Sequence, residues 1–172
     1  MMMKMLEAGG LKPVIDGFRE ADEDNPKGYY ELEAVKRTKQ DPSWVKDAQG
    51  KVVKVISQLL QDLPATEHYK VIFMRRHLDE VLLSQQKMLV RRDEEDETQD
   101  GDMKEMFASH VEEVEGWMRA AEHLDVLFVS YNRMQSDSDK QIERVCKFLE
   151  ADLDGSKMAT IIDPALYRQR KA

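Results

Sequence analysis

Arg75 and Arg76 end a short β-branched and aromatic run at residues 71–74, and the segment HLDEVLLSQ that follows starts a helical pattern without a break. Guanidinium groups at a strand end, in front of a helix N-terminus, are the parts of an anion site. Ser84 lies eight residues after Arg76, near the second turn of that helix. Helix side chains lean toward the N-terminus, so its hydroxyl can point back to the junction. An arginine fork, a hydroxyl and unpaired backbone N–H groups would grip a phosphate from several sides. Asp79 and Glu80 suit the helix dipole but would compete with an anion if they faced it. On spacing alone a plainer reading stands beside this one: arginines that keep a strand end and a helix start soluble.

Other chemistries find less support. Asp96, Thr98, Asp100 and Gly101 fall at positions 1, 3, 5 and 6 of a calcium loop, but Phe107 then occupies position 12, where a bidentate glutamate is needed. His110 and Glu113 share a helix face without a third or fourth ligand, which reads as a structural histidine, and no metal is expected. GxSxG, CxxC and GxxxxGK[ST] patterns are absent. Cys146 is the single cysteine; it excludes an internal disulfide, fits a reducing cytosol and sits among Ile142, Val145 and Leu149 as a packed thiol. A net charge of -8 argues against a general nucleic-acid or anionic-membrane binder while permitting a local basic site. Neither a membrane-spanning apolar run nor a secretory signal is present in the sequence, and the expected location is the cytoplasm.

The elements that must position these groups follow from periodicity. Helix is expected at residues 2–8, stopped by Gly9 and Gly10, with a short extended piece at 13–15. A polar, turn-rich stretch covers 16–30, helix covers 31–39, and a short helix starts at Ser43. Strands are expected at 52–56, 70–74 and 125–129, with a brief helix over the residues before Pro64. Further helices are expected at 78–91, at 103–124 and up to Leu149, the last opened by a capping box of Ser138 and Gln141. An acidic loop spans about 92–102. Apolar strands alternating with helices predict an α/β fold, a three-layer parallel sheet with helices on both faces, in one domain over 1–172.

The run YKVIFMRRHLDEVLLSQQKML resembles the 3′-phosphate-binding segment of sulfotransferases that use 3′-phosphoadenosine-5′-phosphosulfate (PAPS), in which a strand, an arginine and a serine eight positions later recur. Arg76 and Ser84 match that pattern. VLFVSYNRMQSDSDKQIERVCKFLEADL is similar to the family's strand, tyrosine, loop and helix, and Tyr131 falls where the family places a tyrosine beside the adenine. MKMLEAGGL, EADEDNPKGYYE and DPALYRQR look like a bacterial branch. The resemblance implies a P-loop-like fold and transfer of a sulfuryl group from PAPS to a hydroxyl or amine acceptor. It implies adenosine 3′,5′-bisphosphate as the nucleotide held by Arg76, Ser84 and Tyr131, with Arg75 as a further contact. Arg168 and Arg170 could reach the same ligand or form a solvated basic tail.

The departures matter as much. In the family a central first strand and a phosphate-cradling loop precede the first helix, whereas MMMKMLEAGG looks like the helix that comes after them. The expectation is an N-terminally incomplete domain, with a gap or rearrangement in the sheet or with pairing from a second copy of the chain. VVKVISQLL resembles the family's second strand; Lys54 matches its lysine, but Ile56 stands where the well-known members carry a histidine base. Lys54 is thus a candidate for steadying the leaving phosphate, or simply an exposed strand lysine. Two alternatives to an active sulfotransferase stay open: a non-catalytic or truncated domain that binds a nucleotide or a partner, and a P-loop kinase-like phosphotransferase.

Overall fold

A computed structural model describes residues 1–18, 28–83 and 100–163. Its centre is a pair of parallel strands, β1 (Tyr69–Arg75) and β2 (Leu124–Ser130), in register from Tyr69 opposite Leu124 to Arg75 opposite Ser130. Side chains alternate across the pair. Val71, Phe73, Val126 and Phe128 pack with Leu60, Leu63, Val114 and Met118, whereas Ile72, Met74, Leu127 and Val129 pack with Met5, Met134, Val145 and Met158. Both faces are therefore buried, which is why these strands read as almost continuous apolar runs.

One face is covered by α4 (Asp100–Ala120) and the 3-10 helix Ser57–Asp62. The other is covered by α1 (Met2–Ala8), α5 (Tyr131–Ser136), α6 (Ser138–Leu149) and α7 (Gly155–Thr160). A 3-10 helix, Glu33–Arg37, and the short α2 (Trp44–Asp47) precede the strands, and α3 is seen over residues 78–83. Cys146 is packed in this structure: it contacts Met158 Sδ at 3.9 Å, and burial pushes its thiol pKa up.

Several expectations are corrected. Residues 52–56 do not form a strand of the sheet. Val52 makes one isolated parallel bridge to Pro13, through Val14 N to Val52 O at 2.9 Å and Val52 N to Lys12 O at 3.0 Å. The next donor along that strand, Asp16 N, goes to Glu31 O at 3.3 Å instead of to Lys54 O, so the pairing stops there. The capping box at Ser138 is not formed either. Asp137 is the N-cap, without a side-chain bond, and the Ser138 hydroxyl lies 3.4 Å from Asp139 Oδ1. The loop expected after Tyr131 is helical in α5, where Ser130 Oγ accepts from Arg133 N at 3.2 Å. α7 was not anticipated; Asp154 caps it by accepting from Lys157 N at 3.0 Å. The acidic stretch gives way to α4 at Asp100, and its residues 92–99 lie outside the described residues, as does the end of the helix expected to reach 91.

Candidate functional site

The in-register pairing sets the site. Because Arg75 lies opposite Ser130, the residues that follow, Arg76 and Tyr131, leave neighbouring strand ends at the same level. The Arg76 guanidinium sits over the Tyr131 ring, 5.0 Å from its centroid. Such a cation on an aromatic face is a favourable contact that also restricts the arginine's rotamers.

Arg76 Nε donates to Glu80 Oε2 at 3.0 Å, and Asn132 Nδ2 donates to Glu80 Oε1 at 3.0 Å. Glu80 is 2% exposed and Arg76 26%, so an interior carboxylate has a cation and an amide among its partners. Glu80 thus does face Arg76, as its position in the first turn of α3 allowed. It engages Nε only, and the two Nη groups make no hydrogen bond to any of the described residues. An arginine held by Nε and by its π-face presents its outer edge, the edge that binds a phosphate or carboxylate in a fork.

Arg75 points to the other face of β1 and is used differently. Its Nε donates to Glu115 Oε1 at 2.6 Å and its Nη2 to the other carboxylate oxygen, while the guanidinium lies 4.1 Å from the Phe128 centroid. Glu115 also takes Arg119 Nη2 at 3.1 Å. Arg75 therefore ties β1 to α4. Asp79, the other acid of the helix start, pairs with Lys104 of α4 at 2.5 Å.

Lys54 is also engaged. Its Nζ donates to Glu31 Oε1 at 3.1 Å and to Tyr29 O at 3.2 Å, which fastens the segment after Gly28 onto the extended residues 52–56. Ile56, beside it, is 53% exposed. Ser84, Arg168 and Arg170 lie outside the described residues. Of the residues singled out in the sequence, the structure brings Arg76 and Tyr131 together. Two members of the cluster were missed or under-read: Asn132, for which no sequence signal existed, and Glu80, whose spacing of four residues from Arg76 was visible.

Arg76 and Tyr131 open onto a cleft of about 1680 Å³, which runs between residues 50–58 and 67–76 and takes in Lys54, Ser57, His110 and Gln135. Gln135 Oε1 is buried without a partner among the described residues. Arginine edge, aromatic face and amide acceptor can together bind an anion attached to a flat heteroaromatic ring.

A parallel α/β core with an arginine at its strand ends, stacked on a tyrosine, is the setting in which the comparisons fall. The chain belongs to the sulfotransferase domain family, whose model matches residues 37–172. It is 26% identical over 66 residues to sulfotransferase 2B1 of Mus musculus, 26% over 66 to sulfotransferase 2A1 of Homo sapiens and 27% over 66 to human sulfotransferase 2B1. Each match covers 38% of this chain and 20%, 23% and 18% of those proteins respectively. No solved structure matches the chain. No helix among the described residues is long and apolar enough to cross a membrane, and no three potential metal-ligating side chains converge among them.

Proposed function

We propose that this domain binds PAPS and serves the transfer of its sulfuryl group to a hydroxyl or amine acceptor. The observation that carries the reading is the Arg76 guanidinium, held through Nε by buried Glu80 and stacked on Tyr131, with its Nη edge left for a ligand. Arg76 and Ser84 grip the 3′-phosphate, Tyr131 flanks the adenine, and the product adenosine 3′,5′-bisphosphate occupies the same subsite. Arg168 and Arg170 remain further candidates for the anionic end, and Arg75, a further candidate, would have to leave Glu115 to serve it. Lys54 would have to leave Glu31 to reach a leaving phosphate.

The family resemblance and the apolar cleft beside β1 support a three-layer, P-loop-like sheet in which a further central strand belongs between residues 52–56 and β1. Pairing for the exposed edge of β1 comes from a further strand or from a second copy of the chain. We further read the whole as one domain, cytoplasmic and of a bacterial branch, with nucleotide and acceptor as partners rather than nucleic acid or membrane. Sulfuryl transfer, like phosphoryl transfer, depends on donors aimed at oxygens that gain charge, and one such donor is worth ~10²–10³-fold in rate. With Lys54 held by Glu31, and Ile56 standing where the family resemblance places a histidine base, we read this chain as a slow or inactive sulfuryl transferase. The occupied Lys54 and the apolar Ile56 favour, as a second reading, a domain that binds the nucleotide without catalysis.

The test is equilibrium titration of the chain with PAPS and, separately, with ATP and magnesium, followed by a labelled-PAPS assay on a panel of alcohols, phenols and amines. Binding of PAPS in preference to ATP supports the reading. Preference for ATP with magnesium would point to a phosphotransferase instead. Label transfer then separates the catalytic from the purely binding domain.

A further inference from the structure

The same cleft holds a second arrangement. Ser57 opens the 3-10 helix Ser57–Asp62, His110 lies midway along α4, and Ser57 Oγ stands 2.9 Å from His110 Nε2 in a part-buried setting. Both line the cleft that takes in Arg76 and Tyr131. α4 is pinned at the C-terminal end of β1 by two ion pairs, Lys104 with Asp79 and Glu115 with Arg75. At 1.5 Å of rise per residue, His110 lies ~9 Å along the axis from Lys104 and ~7.5 Å from Glu115, between the two pins. That puts His110 at the C-terminal end of β1 on its α4 side, and it lines the same cleft as Arg76. The cleft's other histidine, His68, precedes β1 at the opposite strand end and pairs with Asp125 at 3.0 Å.

Transfer to a hydroxyl oxygen releases a proton, and imidazole is the side chain most often placed to take one. The cleft's carboxylates near this end are occupied: Glu115 by Arg75 and Arg119, and Glu31 by Lys54. His110 Nε2 has a hydroxyl as its partner, and its other nitrogen has no hydrogen bond among the described residues. A hydroxyl poised on an imidazole nitrogen is the geometry of proton transfer from oxygen to nitrogen.

We propose that Ser57 and His110 form a proton relay for an alcohol or phenol acceptor, an assignment that rests on the transfer function proposed above. The acceptor oxygen forms its bond to sulfur while the bond from sulfur to the bridging phosphate oxygen breaks, and that electron pair leaves with the phosphate. The acceptor's proton passes to Ser57 Oγ as the serine's own proton passes to His110 Nε2. The imidazolium then returns a proton to solvent, and serine and histidine are restored. Ser57 touches the acceptor in this scheme, and His110 acts through it.

The relay is read without turnover by treating the whole chain with phenylmethanesulfonyl fluoride and following residue 57 by peptide mass spectrometry. Ser57 Oγ bonds to sulfur, fluoride leaves and His110 takes the proton. Labelling at Ser57 is expected in the unmodified chain. His110→Gln is expected to slow it by about 10²-fold or more. Ser57→Thr, which keeps a hydroxyl, is expected to retain labelling that depends on His110. No label at Ser57 in the unmodified chain, or an equal rate in His110→Gln, would each overturn the relay. Titration of the same proteins with adenosine 3′,5′-bisphosphate separates the two proposals. Nucleotide binding without serine labelling removes the relay and leaves the transfer function standing. Serine labelling without nucleotide binding removes the transfer function, and the relay's part in it as well.

Discussion

Arg76 Nε and Glu80 Oε2 meet at 3.0 Å with the carboxylate 2% exposed, so the arginine proposed to hold a nucleotide phosphate also neutralises a buried acid. The two roles are coupled. Removing the cation takes a charged partner from a carboxylate that is 2% exposed, and breaking a buried ion pair from one side costs about 3–5 kcal/mol. Arg76→Ala is therefore expected to lose stability by about that amount in denaturant melts, in addition to any loss of ligand binding. The double variant Arg76→Met with Glu80→Met removes both charges and is expected to recover most of that stability while binding no nucleotide. A fully stable Arg76→Ala chain would contradict the pairing.

Arg75 supplies the contrast. It is tied to Glu115 and stacked on Phe128, on the face opposite Arg76, and Glu115 keeps Arg119 if Arg75 is lost. Arg75→Ala is expected to cost about 1 kcal/mol of stability, in keeping with a partly exposed ion pair. Affinity for adenosine 3′,5′-bisphosphate is expected to change by no more than about twofold, because the guanidinium is already engaged by Glu115 and Phe128. A large loss of affinity with unchanged stability would place Arg75 in the site after all.

How much of this could be read from the residues differs by element. β1 and β2 were legible because both faces of each are buried, so their composition carries the signal without any knowledge of partners. Residues 52–56 have the same β-branched composition yet pair only at Val52, since a strand is defined by its neighbour and the sequence does not show one. The helix at Asp154 was missed although an aspartate before Gly155 is an N-cap signal, because the helix is only six residues long. Arg76 and Tyr131 were legible as a pair through the family pattern, and the matched strand ends explain it physically. Asn132 was not, because an amide that satisfies a buried acid from another element leaves no mark in local spacing.

Stability in alkali follows from Tyr30. Burial, and then the Glu7 carboxylate that accepts from its hydroxyl, raise its pKa from 10.0 to about 12. The neutral phenol is thus favoured in the folded chain. Its contribution is complete below pH 10 and is lost as pH rises toward 12, because between those values the unfolded chain has given up a proton that the folded chain retains. Melting temperature is expected to fall through that window, and Tyr30→Phe, which has no proton to lose, is expected to flatten the fall. An identical slope in Tyr30→Phe would show that other groups carry the effect.

The most direct measurement is isothermal titration of the unmodified chain with adenosine 3′,5′-bisphosphate and with AMP, which lacks the 3′-phosphate. A charge-assisted bond from the free edge of Arg76 is worth roughly 1.5–3 kcal/mol, so the bisphosphate is expected to bind about 10- to 100-fold more tightly than AMP. In the Arg76→Met, Glu80→Met double variant the difference is expected to vanish. Equal affinity for the two nucleotides in the unmodified chain would contradict the assignment of Arg76 to a phosphate and leave the Arg76–Glu80 pair as a structural ion pair alone.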